Sequence, residues 1–270
     1  MPDPGLPHPG HDQWVPLFLV SDHRRCARLA AWGSAWLAGS AGFDQVLDAV
    51  TGKGRHVGGA SFDLAGLNPV GVALTDWKRA GTPALRLVLP VPGDVRGLTG
   101  APAFRDQVLD AGQAVYGNDF GVTVLAGRET PSSAGREFVW HRGDYTELPP
   151  DPLSLQDAEH DLTGAIRETA SDLARRGATS WLADLAPALS DARRAGERLH
   201  LPASHPPRAV RLIAQAERLT AVFAVVDRDD TGALTAGERA DKLQALAPLR
   251  LAVRRALIAG YNAPAEVAAT

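Results

Sequence analysis

Apolar residues recur at helical spacing in some parts of the chain and at alternate positions in others. Residues 21–38 carry Cys26, Leu29, Trp32, Gly33 and Trp36 on one side of a helix that Ser21 is placed to cap. Trp32 and Trp36 form an i,i+4 pair, which reads as core or as the wall of a ligand pocket; core is the commoner meaning of such a stripe. Glycines at 39 and 42 break this helix, and residues 43–50 predict a short second one. The stretch Gly52-Lys53-Gly54-Arg55-His56-Val57-Gly58-Gly59 has the glycines and cations of a phosphate loop. Its spacing is not that of a Walker A loop, and a helix precedes it where a dinucleotide fingerprint needs a strand. It therefore reads as a plain helix-to-strand loop. Asn68 followed by Pro69 predicts a helix start, with Val70, Ala73, Leu74 and Trp77 as its stripe and Gly81 as its stop. In residues 84–89 Leu85, Leu87 and Leu89 face one way and Arg86 and Val88 the other, as in a strand. A helix over 104–114, a strand over 121–125, a turn-rich stretch over 127–135 and a last strand over 136–142 follow. Phe138 and Trp140 share a face of that last strand.

Leu148-Pro149-Pro150-Asp151-Pro152 reads as a linker, and beyond it the pattern is helical throughout. Ser154 with Asp157 starts a helix with the stripe Leu155, Ala158, Leu162, Ile166, Ala170 and Leu173, ended by Gly177. Residues 181–192 predict a second helix and 208–226 a third, with Leu212, Ala216, Leu219, Phe223 and Val226 on one side. Thr235 begins a fourth, reaching about residue 260, which Pro248 bends or divides. The resulting fold class is α+β: a small sheet covered by helices, followed by an antiparallel helical bundle. The expected divisions are a disordered tail over 1–13, an α+β domain over 14–147 and the bundle over 153–262.

Composition narrows the function classes. The chain has 270 residues, 45% of them apolar and 22% charged, in the range of soluble globular proteins. A net charge of -3 with no dense basic block argues against a nucleic-acid binder. Cys26 is the only cysteine, which excludes an intramolecular disulfide. The first residues lack the basic start and long apolar run of a signal peptide, and residues 15–20 are too few to span a bilayer. A cytoplasmic protein without membrane contact is expected. Lys53, Lys78 and Lys242 are the only lysines among 28 basic residues, and such Ala- and Arg-rich usage points to a high-GC bacterial genome. The whole chain resembles uncharacterised actinobacterial proteins with helical C-terminal halves, a resemblance that implies no activity.

One segment suggests a specific chemistry. In residues 227–238, Asp-Arg-Asp-Asp-Thr-Gly-Ala-Leu-Thr-Ala-Gly-Glu, oxygen-bearing side chains stand first, third, fifth, ninth and twelfth, with Gly232 sixth and Leu234 eighth. Leu219, Phe223 and Val226 precede it at helical spacing. The segment resembles a single EF-hand. The resemblance implies Ca2+ held by Asp227, Asp229 and Thr231, the Ala233 carbonyl, Thr235 directly or through water, and Glu238 with both oxygens. One loop with three carboxylate ligands implies weak binding. A metal-free reading stands beside it: Thr235 and Glu238 also make a capping box, and Asp229-Asp230-Thr231-Gly232 is ordinary turn chemistry.

Two function classes follow. The first is a non-enzymatic interaction or regulatory protein, tuned by calcium, with a protein partner or self-association. The alternative is an enzyme or small-ligand binder whose site lies in the N-terminal α+β domain, where Asp22, His23, His56, Trp77, Arg86 and His141 are the candidates to converge. The sequence contains no nucleophile elbow, paired-carboxylate motif, metal-binding histidine pair or P-loop to name a reaction. Asp157 and His160 have the i,i+3 spacing of a carboxylate–histidine metal pair, but no matching motif occurs on the other helices.

Overall fold

Asn68 accepts the Val70 N–H at 3.0 Å and Pro69 fills the first helical position, so α3 (Pro69–Arg79) begins where the sequence places it. Its stripe, Val70, Ala73, Leu74 and Trp77, is buried. The computed structural model describes residues 23–52, 55–58, 68–91, 93–117, 123–132, 135–144, 153–175, 199–228 and 236–268. Before α3 come α1 (His23–Leu37) and α2 (Phe43–Thr51). After it come α4 (Pro102–Ala111), α5 (Leu155–Arg175), α6 (Pro207–Arg228) and α7 (Ala236–Ala268).

The architecture is α+β, with one five-stranded sheet. Its strands are β1 (Arg55–Gly58), β2 (Leu85–Val88), β3 (Ala114–Gly117), β4 (Thr123–Ser132) and β5 (Gly135–Asp144), in the spatial order β1-β5-β4-β3-β2. β1 runs parallel to β5, and the other neighbours are antiparallel.

Three local expectations change. The stretch 52–59 is expected as a loop, yet it holds β1, whose register puts Val57 beside Val139. Pairing with a long neighbour supplies the hydrogen bonds that a glycine-rich segment does not specify by itself. The helix expected to reach 114 ends at Ala111, where Gly112 turns left-handed (φ +66°), and β3 starts at Ala114. The turn-rich stretch 127–135 is strand as far as Ser132, because every residue from Thr123 to Ser132 has a partner on β5. The linker at 148–152 and the helix expected over 181–192 lie outside the described residues, as does Ser21.

Side chains on β5 alternate between two covered faces. Phe138 takes the Arg25 guanidinium of α1 over its ring at 5.1 Å, and Arg142 pairs with Asp76 of α3 at 3.1 Å. On the other face the Phe104 ring of α4 lies so close to Gly143 that a Cβ has no room there. Gly33 serves the same end on α1, where an added Cβ would meet Leu85 Cδ1 at 2.5 Å. Trp32 and Trp36 are half-buried at the margin of the core. Trp32 stacks on His200 and donates its Nε1–H to the His200 carbonyl, while Trp36 meets the Phe43 edge and the Lys78 ammonium.

In the C-terminal half the Asp157 N–H donates to Ser154 Oγ at 3.1 Å, so the cap of α5 forms as its sequence implies. Thr169, not Ala170, is the buried residue in the later turns of that helix. α7 passes Pro248 without dividing. Contacts between 227 and 250 and between 205 and 260 show α6 and α7 running antiparallel, and the ion pair Asp161–Arg255 joins α5 to α7. The buried residues of both halves belong to one continuous core, because α7 also packs on α1 and β2.

That packing closes one edge of the sheet. The Leu85 N–H donates to Ser34 Oγ at 2.9 Å. The Leu87 N–H donates to Asn262 Oδ1 at 2.6 Å, and Asn262 Nδ2 donates back to the Leu87 carbonyl at 3.0 Å. Arg254 Nη1 donates to the Leu89 carbonyl at 2.6 Å. Side chains from α1 and α7 thus take the place of a sixth strand along β2, which removes an edge open to aggregation.

Candidate functional site

Of the calcium-loop residues, Asp227 is the one whose side chain is described; residues 229–235 and the side chains of Arg228 and of 236–238, Glu238 among them, lie outside the described residues. Asp227 stands in the last turn of α6. Its carboxylate accepts from Arg250 Nη1 at 3.1 Å and Nη2 at 2.5 Å, a two-pronged pair across the hairpin to α7. The two side chains are 19% and 11% exposed. The Arg250 guanidinium also lies over the Phe223 ring at 4.6 Å, so one arginine ties the apolar stripe of α6 to its terminal carboxylate. A cation seated in the loop has to draw Asp227 away from this partner.

The N-terminal candidates whose side chains are described, Trp77, Arg86 and His141, stand apart in the fold. Trp77 is fully buried under the sheet face that carries Phe138 and Trp140. His141 alternates with Trp140 and so belongs to the opposite face, the face of α4. Arg86 sits on β2, with β4 and β3 between it and the strand of His141. Asp22 and the side chains of His23 and His56 lie outside the described residues. Asp157 is engaged at the α5 cap by Ser154, and His160 is exposed. Among the described residues no three His, Cys, Asp or Glu side chains gather as a metal site requires, and no helix is long and apolar enough to cross a membrane.

A cleft does exist elsewhere, about 160 Å³ in volume, between the end of α1, the residues before β2, the segment that leads into α6, and Pro264 of α7. His205 forms part of its wall and is 3% exposed. The reason for its position lies four residues apart on α7. Pro264 has no N–H to give the Gly260 carbonyl, and His205 Nε2 supplies the missing donor at 3.0 Å. A carbonyl only accepts, so Nε2 carries the hydrogen and Nδ1 is left as a bare acceptor; it is buried and has no partner among the described residues. Burial pushes the His205 pKa below its ordinary 6.5, with the Gly260 bond opposing in part. Sequence reasoning passed over this histidine. The signal it left is Pro264, an interior helix proline that demands an outside donor.

The His205 shift carries a pH prediction. The folded state holds the proton less well than the unfolded chain, so the unfolded state gains protons first as pH falls through about 6.5. Stability from the neutral ring is whole above that pH and is lost below it. Urea midpoints measured at pH 7.5 and 5.5 are expected to differ less for His205→Gln than for wild type. Equal differences would remove His205 from the acid response.

Two consecutive family models match the chain: the N-terminal domain of the Rv1486c-like protein over residues 26–155 and its C-terminal domain over 156–258. The "uncharacterized protein Rv1486c" of Mycobacterium tuberculosis H37Rv is 30% identical over 281 residues, with 87% of this chain and 95% of the relative covered. "Uncharacterized protein ML1804" of Mycobacterium leprae is 27% identical over the same shares of both chains. "Uncharacterized protein MAV321" of Mycobacterium avium is 26% identical, over 73% of this chain and 77% of its own. No solved structure matches. These relatives are actinobacterial, as the Ala- and Arg-rich resemblance implies. With adjoining domain matches from residue 26 to 258 and a relative 30% identical over nearly its full length, the chain belongs to the two-domain Rv1486c-like family.

Proposed function

We propose that the protein works in the cytoplasm by association rather than by chemistry, as an interaction or regulatory protein whose α6–α7 joint responds weakly to calcium. Its partner is another protein or a second copy of the chain. The observation that supports this reading is the Asp227–Arg250 pair. The first ligand of the EF-hand-like loop is the carboxylate that fastens α6 to α7, so ion binding and helix packing draw on one group. Calcium wins Asp227 only by giving up the Arg250 contact, which holds its affinity to the weak, millimolar range. The exchange would free Arg250 beside Phe223 and loosen the hairpin, and that change is what a partner would sense.

Calorimetric titration of the full chain with calcium tests this. Wild type is expected to bind in the millimolar range. Arg250→Met, which keeps an apolar contact to Phe223 and removes the competing cation, is expected to bind about ten-fold tighter, the equivalent of roughly 1.4 kcal/mol. Asp227→Asn and Glu238→Gln are expected to lose binding. Absence of heat in both wild type and Arg250→Met at millimolar calcium would leave the joint a metal-free hairpin.

A further inference from the structure

We propose that the apolar run at residues 14–20 docks on the edge of β1 as a sixth strand of the sheet. The two edges of the sheet differ. Ser34, Asn262 and Arg254 close the β2 edge, whereas among the described residues no strand lies beyond β1. β1 therefore presents outward backbone N–H and C=O groups, which a protein must cover or pair to stay free of edge-to-edge association.

The start of α1 decides the occupant. Residues 14–20 lie outside the described residues, and His23 opens α1. Arg25 holds this end of the helix at the β1 side of the sheet. Its guanidinium lies over the Phe138 ring of β5 at 5.1 Å, and Phe138 is in register with His56 of β1. Arg25 Nη1 also donates to the Val50 and Thr51 carbonyls, at 3.0 and 2.9 Å, where α2 ends and the chain leads on to β1. The chain from Val20 to His23 reaches roughly 10 Å. Two strand spacings, from β5 to a place beyond β1, come to about the same. The run thus leaves α1 within reach of the β1 edge.

Its composition fits that place. Trp14-Val15-Pro16-Leu17-Phe18-Leu19-Val20 carries no charge, and its Val, Phe and Trp favour strands. It is apolar at every position, as a strand covered on both faces requires. α3 packs on β1, and α4 lies on the opposite face of β5. Pro16 has no N–H to give, and a sheet accepts it only where that position points away from the ladder. Backbone groups of successive residues alternate in direction, so Pro16, Phe18 and Val20 point outward while Val15, Leu17 and Leu19 bond to β1. Pro16 also blunts the new edge against further pairing. The proposal is independent of the calcium reading, since it involves the other half of the chain.

Hydrogen exchange of the full chain, read amide by amide by nuclear magnetic resonance, tests it. The Leu17 and Leu19 amides are expected to exchange roughly 100-fold more slowly than those of Phe18 and Val20. Backbone nuclear Overhauser contacts should join residues 15–20 to 55–58 within one molecule, as a mixture of differently labelled chains can show. Leu17→Pro removes a ladder N–H, and is expected to release Leu19 while Leu87, on the far edge, stays protected. Val20→Pro, at an outward position, should leave Leu17 slow. If Leu17→Pro fails to fold, the wild-type exchange pattern and contacts decide. Uniform exchange along residues 15–20 overturns the proposal, whether fast, as for an undocked segment, or slow, as for burial without a ladder. Contacts that join β1 to residues 59–67, or to the run of a second copy, overturn it as well.

Discussion

Asn262→Ala is expected to destabilise the protein by about 3 kcal/mol, since the Leu87 N–H and carbonyl each lose their partner in a buried site, at roughly 1–3 kcal/mol per group. For a chain of this size that lowers the melting temperature by roughly 6–12 °C. The side-chain amide works here because it offers a donor and an acceptor at the spacing of a neighbouring strand's peptide group. Asn262→Asp keeps the acceptor but loses the donor and brings a charge, so it should be no better tolerated than alanine. Thermal unfolding followed by circular dichroism gives the magnitude. Hydrogen exchange at Leu87 gives the mechanism: its amide should exchange far faster in the variant while Val115, on the neighbouring strand, stays protected. An unchanged Leu87 amide would mean that something other than Asn262 closes the edge.

Arg254→Met is expected to cost about 2–3 kcal/mol, less than the roughly 3–5 kcal/mol typical of breaking a buried pair because Asp94 keeps Arg96. Arg254 does three things from one position on α7. It covers the Leu89 carbonyl, it pairs with Asp94, and its stem occupies the seam between α7 and the turn after β2. Asp94 in turn accepts from Arg96 Nε and Nη2, both at 2.8 Å. These Arg96 bonds first, and Arg254 second, hold the Asp94 carboxyl well below the usual carboxylate range against the opposing effect of burial. The folded state therefore binds that proton less readily than the unfolded chain. The stability from Asp94 is present above about pH 4 and is lost as pH falls further. Chemical denaturation of Arg254→Met, Asp94→Ala and the double variant separates the parts. The double variant should lose less than the sum of the singles, since the Arg254–Asp94 contact is lost in each single but only once in the double, and Asp94→Ala alone strands Arg254. Strict additivity would show that the two residues do not act as a pair.

Much of the local structure was readable before any tertiary contact was known. Asn68-Pro69 and Ser154–Asp157 announce helix starts because capping depends on residues within one turn of each other. The alternation in 84–89 announces β2 because a strand buried on one side has a period of two. β3 was not readable, and β1 was legible only as a possible strand between the second and third helices. Each is four residues long, and what makes it a strand is a partner about eighty residues away for β1 and about thirty residues before β3 on β2. The glycines and proline of 127–135 signal turns by composition, yet a continuous ladder with β5 overrides them.

The candidate site divides along the same line. The ligand spacing of 227–238 is a property of sequence, since an EF-hand-like loop takes its donors from twelve consecutive residues. What Asp227 does in the folded chain was not legible, because Arg250 reaches it only when α7 folds back along α6. The same holds for His205, whose neutral, single-tautomer state depends on a carbonyl fifty-five residues on that Pro264 has left without a donor. By itself the sequence determined the helix starts, the apolar stripes, the absence of an intramolecular disulfide and the α+β class, all consequences of short-range periodicity and residue chemistry. The tertiary structure alone decided which edge of the sheet is closed, which carboxylate is paired and which imidazole is bare, because each depends on α7 meeting residues distant along the chain.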